Sequence, residues 1–104
     1  MRDPEVEHWE NQKRFVAPTP AGPAYVAYER PDAGTIELHH TIVPEEERGR
    51  GVGGRVVSAA IGYARKQGLR VIPSCPFVRA WLEEHPDERD VVAGGGGRRD
   101  AAGG

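Results

Sequence analysis

Two segments of this sequence carry residue types suited to chemistry: the loop Arg48-Gly49-Arg50-Gly51-Val52-Gly53 and the segment Pro73-Ser74-Cys75-Pro76. In the loop, glycines alternate with arginines immediately before an apolar periodicity of the helical kind. Glycines let a backbone approach a bulky anion and take conformations other residues avoid. The first amides of a helix have no partner within it, and the helix dipole favours negative charge there. The combination suits a phosphate or pyrophosphate, with Arg48 and Arg50 adding charge. The same spacing also fits a tight strand-to-helix connection with solvated arginines, and spacing alone weighs the two equally. No Gly-Lys-Ser or Gly-Lys-Thr follows, so the loop is not a P-loop. The segments upstream read as antiparallel strands, which suits a dinucleotide fingerprint poorly.

Cys75 is the sole cysteine and stands directly before Pro76, at the start of a second helical pattern. A helix N-terminus tends to lower a thiol's pKa, which suits a proton donor or a nucleophile. Against that stands the ordinary role of a lone cysteine as a small buried apolar residue. Glu37, His39 and His40 share the strand that leads toward the glycine loop. His40 falls on the apolar face of that strand and reads as a hydrogen-bonded core histidine. His85, before Pro86, reads as an anchor for a helix end, and Tyr63 as mid-helix packing. One cysteine and scattered histidines give no zinc-type ligand spacing.

The elements that must hold these residues follow from periodicity. Lys13–Ala17, Ala24–Tyr28 and Thr35–Val43 read as strands separated by turn formers, Pro18 to Pro23 and Pro31 to Gly34, and so as an antiparallel meander. Val6–Trp9 is a candidate edge strand. In the third strand Ile36, Leu38, His40 and Ile42 alternate onto one face, Glu37, His39 and Thr41 onto the other. After Pro44 the period changes: Val52, Val56, Val57, Ala60, Ile61 and Ala64 form a helical stripe, and Gly68 sits at a helix C-terminus. Leu69–Ile72 is a short strand. A second helix begins near Cys75-Pro76, with Phe77, Val78, Trp81 and Leu82 as its apolar face. It stops at His85, because the residue before a proline is pushed out of helical geometry. The expected fold class is α+β (mixed α/β), with helices packed on a mainly antiparallel sheet.

The totals bound the answer. The 104 residues, 38% hydrophobic and 29% charged, allow one soluble domain with one modest core. A formal charge of -2 gives no global attraction to nucleic acid or membrane. A single cysteine excludes an intrachain disulfide. The N-terminal residues lack the apolar core of a signal peptide, and no apolar run is long enough for a bilayer, so a cytoplasmic protein is expected. Residues 1–92 read as the domain and 93–104 as a flexible glycine-rich tail.

The loop Arg48 to Gly53 resembles the coenzyme A loop, Arg/Gln-x-x-Gly-x-Gly/Ala, of the GNAT N-acetyltransferase superfamily. His40–Pro44, that loop, Ile72–Val78 and His85-Pro86 are similar, in order and spacing, to a branch of short N-acetyltransferase domain-containing proteins. The resemblance covers about residues 6–92. It implies a compact sheet with splayed central strands and two helices, and acetyl-coenzyme A as the cosubstrate. Thr41, Ile42 and Val43 would then offer backbone groups to the pantetheine arm. Arg48, Gly49, Arg50, Gly51, Val52 and Gly53 would hold the pyrophosphate, with Ser74 and Cys75 near the thioester. The resemblance also implies a proton acceptor on the strand before the loop, for which Glu37 and His39 are the candidates; a merely solvated face is the competing reading. No tyrosine matches the position of the general acid in larger relatives, which turns attention to Cys75.

The implied activity is transfer of acetyl to an amine, a small one or a protein lysine, by a monomer or weak dimer. The acidic run Glu83–Asp90 would favour a cationic acceptor where it borders the cleft, and is otherwise a solvated surface. Two other readings stand beside it. One is a non-catalytic acyl-coenzyme A binding module or sensor. The other is a nucleic-acid patch of Arg48, Arg50, Arg98 and Arg99, against which the net acidity and missing aromatics argue.

Overall fold

The computed structural model describes residues 6–93. The proposed tail, with Arg98 and Arg99, lies outside the described residues from 94 onward. Five strands and two α-helices follow in chain order: β1 (Glu7–Trp9), β2 (Arg14–Ala17), β3 (Ala24–Glu29), β4 (Thr35–Ile42), α1 (Val52–Gln67), β5 (Arg70–Pro73) and α2 (Pro76–Glu84). They form one sheet in the order β1-β2-β3-β4-β5. The first four strands pair antiparallel and β5 pairs parallel to β4.

Local chemistry sets the boundaries. Asp32 Oδ1 accepts from the Gly34 amide at 2.9 Å and from Thr35 Oγ1 at 3.0 Å, closing the turn between β3 and β4. At the C-terminus of α1, Gly68 takes φ +72°, and the Leu69 amide returns to the Ala64 carbonyl at 2.8 Å. Pro76 occupies the first turn of α2, where its missing N–H costs nothing. The α2 helix ends at Glu84, ahead of Pro86, which opens a 3-10 segment (Pro86–Val91).

Both helices pack on one face of the sheet and share a single core. Val56, Val57, Ala60, Ile61 and Ala64 of α1 are buried against Phe15, Val26, Ile36, Leu38 and Val71, and Val78 and Leu82 join from α2. Burial of each large aliphatic side chain contributes about 1.5–3 kcal/mol, so this stripe decides where α1 lies. Arg65 ties the chain's last described segment to α1, bonding Glu88 at 2.6 Å and Asp90 at 2.7 Å.

The sequence alternation along β4 fails at one point. Tyr28 pairs with Leu38 but Ala27 pairs with His40, so His39 is an extra residue in the ladder, a β-bulge. One extra residue reverses every later side chain. Ile36 and Leu38 are buried as expected. His40 and Ile42 are exposed instead of sharing that core face, and Thr41 turns inward in their place. The expectation of a core histidine at position 40 is therefore corrected.

Pairing of β4 with β5 covers only Thr35–Leu38 against Arg70–Pro73. Beyond Leu38 the two strands part. The Cys75 amide donates to the Leu38 carbonyl at 3.1 Å, across the mouth of this fork. β4 runs on to Ile42 with no strand partner on that side among the described residues.

Candidate functional site

From the fork, β4 leads through Val43 and a 3-10 turn (Glu45–Glu47) into the glycine loop. Amides early in the loop are already used: Arg48 N donates to Glu45 O and Arg50 N to Glu47 O, each at 3.2 Å. Gly49 and Gly51 stand at φ +82° and +83°, the left-handed region that costs other residues strain. The first bond of α1 runs from Arg55 N to Gly51 O at 3.1 Å. The amides of Val52, Gly53 and Gly54 therefore have no partner within the helix, and Gly51 offers no side chain to cap them.

These amides border a cleft of about 530 Å³ whose walls include Thr41, Val43, Arg48, Gly51, Gly53 and Phe77. Phe77, at the start of α2, is 42% exposed and leans on the loop. A Cβ at Gly53 would stand 2.7 Å from Phe77 Cζ and 3.1 Å from Val43 Cγ2, so the bare glycine is what leaves room for the Phe77 ring where it rests. Glu47 also borders the cleft.

At the fork end, Thr41 Oγ1 and Cys75 Sγ lie 3.3 Å apart, with either as donor. Cys75 is free and buried. Burial alone would push its thiol up. The Thr41 hydroxyl and the amides of Val78, Phe77 and Thr41 outweigh that and hold it below the ordinary thiol range. The result is a polarised sulfur behind the cleft wall, at the N-terminus of α2.

The other expected residues group differently. Glu37 Oε2 accepts from Ser74 Oγ. Glu37 pairs in register with Glu29 and Ile72, on the sheet face away from α1. Ser74 is exposed and borders the outer face of the fork rather than the cleft. His39 approaches Glu29 at 4.0 Å, and both are exposed. Ile42 turns its side chain to that outer face, while Arg50 is exposed and outside the cleft wall. Thr41, Val43, the glycines and Cys75 thus gather on one side of the fork, and Glu37 with Ser74 on the other. Sequence reasoning missed Phe77 and Gly54 as cleft residues. Phe77 carried only the signal of an apolar helix face, which its exposure contradicts.

The sequence profile of the GCN5-related N-acetyltransferases matches residues 14–91. The chain belongs to that family. The acetyltransferase fold is also seen in a solution structure of a GCN5-like protein from Staphylococcus aureus, similar at a TM-score of 0.69 and 30% identity over 90% of this chain and 92% of that one. Protein NATD1 of Xenopus tropicalis is 30% identical over 63 residues, 61% of this chain and 58% of its own length. The Gallus gallus protein of the same name is 26% identical over 84 residues, 79% of this chain and 76% of its own. The chain therefore spans a little over half the length of the first of these relatives. Membership supports acetyl transfer as the general class of activity. Among the described residues, no group of three acidic, histidine or cysteine side chains gathers to hold a metal ion, and no helix is long and apolar enough to cross a membrane.

Proposed function

We propose that the chain binds acetyl-coenzyme A in the cleft between β4 and the glycine loop and transfers its acetyl group to an amine. One observation carries this reading. Uncapped amides at the start of α1 border one cleft with Thr41, and Thr41 contacts a polarised thiol just behind the cleft wall at the fork, a pairing that suits a pyrophosphate and a thioester. The backbone of Thr41, Ile42 and Val43 would run beside the pantetheine arm. Arg48, Gly49, Gly51, Val52 and Gly53 would meet the pyrophosphate, with Arg50 adding charge at longer range. An acceptor amine would approach through the fork from the outer face, where Glu37 or His39 takes its proton as nitrogen attacks the carbonyl. The departing thiolate takes a proton from Cys75, or Cys75 accepts the acetyl first and passes it on. Ser74 would act by holding Glu37 in place. A monomer or weak dimer in the reducing cytoplasm fits the free thiol.

Intact-mass measurement after incubation with acetyl-coenzyme A, beside a coenzyme A titration, tests the reading. Saturable binding is expected, together with acetylation of an added polyamine or lysine peptide that Cys75→Ala abolishes. Absence of coenzyme A binding refutes the reading, and binding without any acetyl product reduces the chain to a binding module or sensor.

A further inference from the structure

The segment that closes the fork, Pro73-Ser74-Cys75, is held from behind by one side chain. Arg79, the fourth residue of α2, turns its guanidinium back past the start of its own helix. Its Nη1 donates to the Pro73 carbonyl at 3.0 Å and to the Ser74 carbonyl at 2.8 Å. Glu83 stands one turn further along α2 and borders the same surface groove. Opposite charges four apart on a helix ordinarily attract, yet among the described residues Arg79 forms no ion pair. A cation near a helix start also works against the dipole. The two carbonyls, rather than the stability of α2, account for where this arginine points.

Those carbonyls belong to the peptides that precede Ser74 and Cys75. A trans peptide is planar and points its N–H away from its C=O. With the Ser74 carbonyl on Arg79, the Cys75 amide faces the other way and donates to the Leu38 carbonyl of β4 at 3.1 Å. With the Pro73 carbonyl on Arg79, the Ser74 amide likewise faces away and donates to the Ile72 carbonyl at 3.1 Å. Each peptide is thus fixed at both ends. From this braced segment the two side chains reach opposite sides of the fork. Ser74 Oγ donates to Glu37 on the outer face, and Cys75 Sγ meets Thr41 Oγ1 at 3.3 Å behind the cleft wall. Rotation of either peptide would move both contacts, and Arg79 opposes both rotations.

We propose that Arg79 is a positioning residue for acetyl transfer, setting Cys75 against Thr41 and Ser74 against Glu37 through the two carbonyls it holds. The inference rests on the assignment of acetyl transfer to the fork. Arg79 stands outside the cleft wall, so its loss falls on turnover and on the sulfur rather than on coenzyme binding. Both bonds leave a single nitrogen, so a lysine ammonium carries donors for both carbonyls, whereas methionine keeps an unbranched stem and carries none.

Acetyl transfer to a lysine peptide, and iodoacetamide alkylation of Cys75 across pH, test this in the full chain. Arg79→Met is expected to lower kcat about tenfold, short of the roughly hundredfold that a 1 Å misplacement can cost, with coenzyme A affinity unchanged. Its alkylation midpoint should move upward, as in Thr41→Val. The double variant should move no further than Thr41→Val alone, because Arg79 acts on the sulfur through that contact. Arg79→Lys should recover part of both losses, and Arg79→Gln gives the same comparison where the methionine variant does not fold. A wild-type kcat without the arginine, an unmoved midpoint, shifts that add in the double variant, or no recovery with lysine overturns the positioning role while the assignment of the fork stands. If the wild-type chain itself transfers no acetyl group, that assignment falls and the positioning role with it.

Discussion

Thr41 Oγ1 and Cys75 Sγ stand 3.3 Å apart, although 34 positions separate them in the chain. The contact exists because two independent irregularities meet. The bulge at His39 turns Thr41 inward, and the parting of β5 from β4 brings the N-terminus of α2 against it. Burial pushes the thiol up, but a hydroxyl and several amides converge on the sulfur and together hold it below the ordinary thiol range.

Removal of the hydroxyl should reverse part of that lowering. In Thr41→Val the thiolate loses a donor, so the pH at which Cys75 reacts half-maximally with iodoacetamide should move upward. The measurement is the alkylation rate across pH in both proteins. An unchanged midpoint would show that the amides alone set the thiol.

Gly53 and Phe77 are coupled by space rather than by a bond. Gly53→Ala places a Cβ 2.7 Å from the Phe77 ring. The ring is 42% exposed and can swing aside, so the loss should be at the lower end for overpacking, about 1 kcal/mol. Phe77→Ala should remove most of that loss, and denaturant melts of both singles and the double variant give the coupling. The same loss in both backgrounds would rule out this contact as its source.

His8 offers a pH-dependent readout of the sheet. It stacks on Phe15 at 4.1 Å, meets Tyr63 of α1 at 4.6 Å and bonds the Tyr28 hydroxyl at 2.6 Å. Burial lowers its pKa, and Glu10 only partly offsets that. With the folded value below the unfolded one, the unfolded chain takes the proton first as pH falls. The resulting stability is therefore complete above the ordinary histidine range of about 6.5 and declines below it. His8→Gln should flatten this part of the stability–pH curve between about pH 8 and 5.5, whatever it does to the absolute stability. An identical slope in the two proteins would exclude His8.

Much of the scaffold could be read directly from the residues. The valine–alanine stripe from Val52 to Ala64 specifies a one-sided helix wherever it occurs, and Gly68 and Pro86 end their helices by backbone geometry alone. The glycine loop was visible for the same reason, since positive φ at Gly49 and Gly51 is a property of the residue type. Tertiary structure decided what those local rules do not reach. The bulge leaves no trace in the alternation of β4, because an inserted position becomes apparent only when the partner strand supplies the register. It moved His40 out of the core and Thr41 into the cleft wall. Packing of α2 on Gly53 and Gly54 brought Phe77 and Trp81 against the loop, a closeness set by the absence of two side chains rather than by any motif. The sequence by itself determined which segments are helix, strand and anion-ready turn, since those depend on neighbours along the chain. Which residues face one another across the fork depended on register and helix packing, and only the folded chain holds those.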